Sequence, residues 1–288
     1  MPTSVARSGA NLPSGNFVPE VWSKKLNAKF YAATVCMAIC NTKWEGEIKG
    51  QGSKVIIRIR PDIVIGDYVV NGTINYQDLA DDKVELLIDK AKYAAFKADD
   101  IDTAQADINF VNEATQDAAE QMKIAVDTDM LGTVYTSAGS TVTSQQITAL
   151  TVLNWIVDGG TKLDELNVPT TGRWLTIPPW IAGFIKKSDL KDASISGDGT
   201  SLLRNGRLGI IDRFDIYVSN NLAGAAASVG VPQQCMAGTK DAVAYASQFT
   251  KTETLRLQNS FGNAIRSLNV YGYKVVHAPA LVSMPAFK

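Results

Sequence analysis

The chain has 288 residues, 45% of them hydrophobic and 20% charged, a balance that allows a sizeable core in one large domain or two modest ones. A formal net charge of −1 excludes a protein that grips nucleic acid by bulk charge, though not one that merely encloses it. No apolar run approaches the ~18 residues of a membrane-spanning helix, the N-terminus has no apolar signal segment, and three cysteines make no disulfide framework, so a reducing, cytosolic birthplace is expected.

Residues 1–16 are rich in Ser, Gly, Pro and Asn and read as a flexible arm. After Pro19, Val21, Trp22, Leu26, Phe30 and Val35 recur near helical spacing, which predicts a helix running to Cys40. EGEIKGQG (45–52) is a turn-rich break. In KVIIRIRPDIVIGDYVVNG (54–72), Val55, Ile57 and Ile59 alternate with Lys54, Arg58 and Arg60, a strand pattern, and Asn71-Gly72 suits a tight turn. Over 84–98, Val84, Leu86 and Ile88 alternate with Glu85 and Asp89. This second strand is expected to pair with the first across the Pro61–Asp82 excursion. A two-stranded ribbon alone is marginal in water, so it needs something to pack against.

Asp102 with Gln105 fits a capping box. Ile108, Val111, Ala114, Ala118, Met122, Ala125 and Val126 then follow at three- and four-residue steps. They predict a helix of about 30 residues, roughly 45 Å, ending near Tyr135. TSAGSTVTSQQ (136–146) is a polar loop. A second helix is predicted from about Ile147 to Leu166, weakened at Gly159-Gly160 and ended by Pro169. Arg173–Ile177 reads as a strand, and Pro178-Pro179 open a short helix through Ile185. Residues 193–207 are loop-like, Phe214–Ser219 is a strand and 220–234 a low-complexity loop. Strands are predicted near Gln234–Ala237, Thr252–Leu257, Ile265–His277 and Ala280–Met284, with a short helix near Lys240–Ala246. There is no internal repeat, and the order of elements is α+β rather than regularly wound βαβ.

No catalytic constellation emerges. His277 is the only histidine, it ends an apolar strand beside Pro279, and it has no acidic neighbour, so it reads as a structural or surface residue. Cys36 and Cys40 share a helical face but lack the second pair that a zinc site needs, and Cys235 is isolated; all three read as buried apolar cysteines. The acidic groups Asp81-Asp82 and Asp99-Asp100 with Asp102 lack the spacing of a calcium loop, and the second suits a helix N-terminus. Asp198-Gly199 is a turn. Gly206 and Gly209 complete no phosphate-binding pattern, and Asn71-Gly72-Thr73, a glycosylation acceptor in form, is read as a turn. No catalytic, cofactor or metal residue is assigned.

Three segments carry a resemblance. FVPEVWSKKLNAKFYAATVCMAICNTKWEGEIKGQGSKVIIRIRPDIVIGDYV (17–69) resembles the opening of tailed-bacteriophage major capsid proteins. LLRNGRLGIIDRFDIYVSNNL (202–222) and RSLNVYGYKVVHAPALVSM (266–284) resemble later segments of the same family, in the same order. The resemblance implies the α+β Hong Kong 97-type capsid fold. Residues 1–45 would be an N-terminal arm with a short helix, and 46–101 a long β-hairpin, the extended loop. Residues 102–144 and 265–288 would form a peripheral domain with a long spine helix, and 145–264 an axial domain. The ribbon would then lie on a neighbouring copy in a head-to-tail contact that closes into rings.

The implied function is a major capsid protein that assembles into pentamers and hexamers of an icosahedral head around double-stranded DNA, which it contacts non-specifically. Such a protein is not an enzyme and needs no cofactor and no membrane. It would be made in the bacterial host cytoplasm and reside in the virion. Because the chain starts almost at its arm, a separate scaffolding protein is expected, along with a portal and possible decoration protein. Candidate intersubunit contacts are Lys54, Arg58, Arg60, Asp62, Asp67 and Tyr68, facing acidic surfaces of an adjacent copy. Lys54 or Lys90 could be proposed for an intersubunit crosslink, but none is assigned. The alternatives are an encapsulin-type nanocompartment shell with an enzyme cargo and a non-assembling soluble enzyme or binding domain.

Overall fold

The computed structural model describes residues 31–44, 54–61, 63–68, 70, 72–73, 76–78, 83–99, 110–188, 209–224, 231–258 and 261–288. Strands β1 (Lys54–Arg58) and β2 (Lys83–Leu87) form an antiparallel ribbon with Lys54 opposite Leu87 and Arg58 opposite Lys83. The ribbon pairing predicted from the alternation is therefore present. The predicted second strand is, however, two strands. It breaks at Ile88-Asp89, and β3 (Lys90–Asp99) leaves the ribbon for the edge of another sheet.

That sheet has the order β10 (Val243–Arg256), β11 (Gly262–Val275), β3, all antiparallel. It draws strands from each of the segments 46–101, 145–264 and 265–288. The ribbon packs on it within the same chain. Val55, Ile57 and Leu86 are buried with Ile88, Ala244, Ala246 and Val276 in a small separate core. The expectation that the whole ribbon packs on a second copy is thus corrected: its strand-paired base is satisfied by its own subunit.

A second sheet of seven strands holds the main core. Its order is β4 (Ser140–Thr141), β12 (Leu281–Phe287), β9 (Gln233–Thr239), β6 (Arg173–Ile177), β8 (Phe214–Val218), β7 (Ile210–Ile211), with β5 (Gln145–Gln146) also on β12. All five residues of β6 are buried, as a central strand covered on both faces should be. Helices α3 (Val152–Glu165) and α4 (Pro179–Lys187) pack against it. Trp155, Ile156, Leu163, Trp174, Phe214 and Met236 are fully buried there. Helix α2 (Phe110–Leu131) joins the same core through Val126, Met130 and Leu131.

Four expectations are corrected in detail. The predicted helix after Pro19 lies mostly outside the described residues; within them only α1 (Cys36–Ile39) is helical. Residues 31–35 are drawn out because the buried Asp127 carboxylate accepts the backbone N–H groups of Val35 and Cys36 at 2.9 and 2.7 Å, while Ser219 Oγ donates to the Ala33 carbonyl. The long helix ends at Leu131, before a Gly132-Thr133 turn, and Asp102 and Gln105 lie outside the described residues. The predicted helix at Lys240–Ala246 is a 3-10 turn over Lys240–Ala242. Val243–Ala246 is strand, because Ala244 and Ala246 face the ribbon while Tyr245 stacks on Tyr271. The polar loop 136–146 contributes β4 and β5, both parallel to β12.

Helix α3 starts at Val152 rather than Ile147 and runs through Gly159-Gly160 without a break. The glycines are there for close approach. A Cβ at 159 would lie 2.5 Å from Met284 Sδ, and one at 160 would lie 2.7 Å from Asp212 Oδ2. Asp212 and Arg213 form the β7–β8 turn, both with positive φ (47° and 67°), the pattern of a primed hairpin turn that usually takes Asn-Gly. The turn is held because Arg213 donates to Asp164 Oδ2 at 3.0 Å.

Trp155 is fully buried between α3 and the seven-stranded sheet, so Trp155→Ala is expected to cost about 3–5 kcal/mol. The denaturant midpoint of the unassembled subunit measures it. Hydrogen exchange should report the loss in the seven-stranded sheet before the ribbon, which has a core of its own.

Candidate assembly interface

Past Arg58 the ribbon leaves the body. Ile63, Val64 and Ile65 are 68, 79 and 90% exposed, and Tyr68, Val70 and Tyr76 are 71, 77 and 92% exposed. Here the Val64 N–H donates to Gln77 Oε1 at 3.0 Å, which joins the two arms. A group of large apolar side chains this exposed is uncommon on a monomer and marks an interaction surface.

Of the predicted contact residues, Lys54 is engaged within its own ribbon, its Nζ 3.1 Å from Glu85 Oε1. Arg58, Arg60, Asp67 and Tyr68 are exposed, and Asp62 lies outside the described residues. Arg58 faces Lys83 directly across the strands. Two like charges opposite each other cost stability in an isolated ribbon, so this pair is suited to an acidic partner. Sequence reasoning chose the charges and Tyr68 but passed over Ile63, Val64 and Ile65. The signal was present: Ile63-Val64-Ile65 is a continuous run with no polar alternation, so no strand pairing would hide all of it.

The base of the ribbon is fixed by a polar cluster that the sequence did not reveal. Asp129, in the last turn of α2, accepts Lys90 Nζ at 2.8 Å, Tyr271 Oη at 3.0 Å and Tyr273 Oη at 3.1 Å. Lys90 also donates to Tyr273 Oη and lies 4.3 Å from that ring's centre. Partial burial by itself would raise the Asp129 carboxyl, but the bonds from Lys90 and the two tyrosines outweigh it and hold the group below the usual carboxylate range. Burial alone would likewise lower Lys90, and its bonds to Asp129 and Tyr273 raise it instead. Burial and the Asp129 bond push the Tyr271 hydroxyl up.

The other candidates of chemical interest are structural. Cys36 and Cys40 are buried, with Sγ atoms 3.1 and 3.3 Å from Met130 Sδ. The bond with Cys36, then burial, raises the Cys40 thiol, and burial raises Cys235. His277 is exposed and its backbone N–H bonds the Ala242 carbonyl. Among the described residues no group of three or more His, Cys, Asp or Glu could hold a metal, and no helix is long and apolar enough to cross a membrane. Asp198 and Gly206 lie outside the described residues; Gly209 has a φ of 58° at the start of β7.

An exposed ribbon, a long helix under a three-stranded sheet and a separate seven-stranded sheet make an α+β architecture whose distinctive feature, among the described residues, is the exposed apolar ribbon. A family model described as phage capsid protein matches residues 83–283. The fold superposes on a structure titled Mycobacterium phage Che8 with a TM-score of 0.81 and 30% identity, covering 93% of this chain and 97% of that one. It also matches the capsid of Cyanophage P-SCSP1u (TM-score 0.77, 12% identity, 94% and 93% covered) and the mature capsid of bacteriophage PhiM1 (TM-score 0.69, 12% identity, 93% and 91% covered). No curated protein sequence matches. The chain belongs to the phage capsid protein family. Its fold is the Hong Kong 97-type capsid fold anticipated from the sequence, and it is a major capsid protein of a phage head.

The shifted pair at the ribbon base gives a pH prediction. Asp129 has a depressed folded value, so its contribution is present above the unfolded value of ~3.9 and is lost as pH falls through the folded one. Lys90 has a raised folded value, so its contribution is present below ~10.4 and is lost as pH rises through the folded one. Asp129→Asn is therefore expected to lower the melting temperature of the subunit at pH 7. The gap from wild type should close as the pH is lowered past the wild-type carboxylate's titration. A gap that stays constant down to acid pH would contradict the assigned role.

Proposed function

We propose that the chain assembles into pentamers and hexamers of an icosahedral head that encloses double-stranded DNA, and that the ribbon tip is the main intersubunit contact. The observation that carries this is the exposed apolar tip, Ile63 to Ile65 with Tyr68, Val70 and Tyr76, on a ribbon whose base is already packed. A second copy would bury it, and a head-to-tail contact repeated by rotation closes a ring. Many weak contacts between the same subunits then add up. In this reading residues 145–264 form the axial domain, residues 102–144 and 265–288 the peripheral domain with α2 as its spine, and residues 46–101 the extended loop.

The basic residues Arg58, Arg60 and Lys83 would face an acidic surface of the adjacent copy. Helix α2 offers one, since Glu113, Asp117 and Glu120 fall on one face by helical spacing. Asp67 and Tyr68 would lie at the tip of the same contact. DNA would be enclosed without sequence-specific contacts. A net charge of −1 suits that role, because dense phosphate binding would hinder movement of the packaged strand. A separate scaffolding protein, a portal and a decoration protein are the remaining partners of this reading, with synthesis in the bacterial host cytoplasm. No chemistry is required of the subunit. A nanocompartment shell would share the fold but enclose protein.

The double variant Arg58→Glu, Arg60→Glu is expected to lower particle yield at least tenfold without lowering the subunit's melting temperature, since Glu at 58 would face Lys83. Adding Glu113→Lys and Glu120→Lys should restore part of the yield. Negative-stain particle counts measure both, and an unchanged yield in the double variant would remove these arginines from the contact. Nucleic acid rather than protein inside purified shells would favour the phage head.

A further inference from the structure

We propose that Gly272 and the Lys90–Asp129–Tyr271–Tyr273 cluster form a two-sided clamp that fixes the angle at which the ribbon leaves the subunit. Resting on the assembly reading above, we infer that this angle sets the curvature of the shell. Gly272 lies in the central strand of the three-stranded sheet. A Cβ there would overlap the Leu87 carbonyl oxygen and lie 2.9 Å from both Leu87 C and Ile88 Cα. The end of β2 therefore rests directly on the β11 backbone, at a spot only glycine leaves open. Gly272 pairs with Ala246, whose side chain lies on the ribbon face, and this fixes the side on which the crossing occurs.

Just beyond, the chain becomes β3 and Lys90 pairs with Tyr271 across the sheet. Its ammonium group reaches Asp129 on α2, which also holds both tyrosine hydroxyls. The ribbon is thus held from above at Leu87-Ile88 and tied on the α2 side at Lys90, with only Ile88-Asp89 between the two strands. Each hold is independent of the other: one is steric, the other electrostatic. Neither touches the exposed tip, and the Tyr271 ring ties the second hold to the main core.

The length of the ribbon turns this small joint into a large effect. At ~3.3 Å per residue a dozen residues of arm reach about 40 Å, so ~10° of rotation at the clamp moves the tip by about 7 Å. That exceeds the tolerance of any packed contact. A subunit with a shifted ribbon would meet its neighbour at a different angle, and repeated head-to-tail contacts would then close at a different radius or not close. Gly272, Lys90 and Asp129 are positioning residues in this scheme, since they reach the neighbouring copy only through the ribbon.

The test uses the full chain, unassembled and assembled, in wild type, Gly272→Ala, Lys90→Met, Lys90→Arg and Tyr273→Phe. Spin labels on Ile56→Cys and Asn112→Cys report the ribbon-to-α2 distance in the unassembled subunit, and electron microscopy reports shell diameter. A single narrow distance is expected in wild type and Lys90→Arg, with a shifted or broadened one in the other three. Shells of wild-type diameter are expected only from the first two, with altered diameters, tubes or open sheets from the rest. Should Gly272→Ala not fold, Lys90→Met and Tyr273→Phe decide the matter alone. Coincident distance distributions across the folded variants overturn the clamp, whatever the shells look like. Shifted distances with unchanged diameters overturn its link to curvature. Failure of wild type to assemble under any condition overturns the assembly reading instead, while the distances still decide the clamp.

Discussion

A two-stranded ribbon has two faces and cannot cover either by itself, and this constraint organises the molecule. Here the ribbon solves the problem in two ways along its length. At the base, Val55, Ile57 and Leu86 turn inward onto Ala244 and Ala246. At the tip no such partner exists within the described chain, and the side chains from Ile63 to Ile65 stand in solvent. Alternation serves the first part, since a sheet of small residues offers one face to cover. It fails in the second, where the sequence stops alternating. The change in pattern at Pro61 thus marks the point where cover for the ribbon within its own described chain ends.

Small residues on the supporting sheet make the crossing possible. Ala244, Ala246 and Gly272 leave a shallow seat, so the ribbon base lies close to the strands beneath. On the opposite face, large residues do the contrasting job. Tyr245, Tyr271 and Tyr273 stack along one line and present two hydroxyls to Asp129. The same strands therefore carry a thin side for the ribbon and a thick, polar side for the helix. Period-two alternation in β10 and β11 encodes both at once.

The seven-stranded sheet was the more legible part of the sequence. Arg173–Ile177 and Phe214–Val218 are short apolar runs bounded by Gly172, Pro178 and the Asp212-Arg213 turn, and local signals of that kind place strands well. The helix predicted at Lys240–Ala246 failed because Ala and Val in a short run fit helix and strand equally, and only the neighbouring ribbon decides. The helix after Pro19 overran for a similar reason: spacing alone suggested it, whereas a buried carboxylate 92 positions away, Asp127, captures the Val35 amide. The Asp129 cluster was invisible because its members come from β3, α2 and β11, and no local pattern links them. Charge on a strand is conspicuous, so charged residues and Tyr68 were chosen as contacts; Ile63 to Ile65 were passed over because Ile and Val in a strand look buried by default.

What separates a shell protein from an ordinary α+β domain is then a matter of where stability is left incomplete. The main core around Trp155, Trp174 and Phe214 is closed, and the small core under the ribbon is closed as well. Among the described residues, the longest run of exposed apolar side chains lies on the ribbon beyond Arg58, next to the like-charged Arg58–Lys83 pair. A subunit built this way can fold before it meets its neighbours, because neither core depends on them. Covering that exposed apolar surface would still be favourable on contact with a neighbour. On the proposed ribbon contact, folding and assembly would rest on different residues, so one could be tuned without disturbing the other.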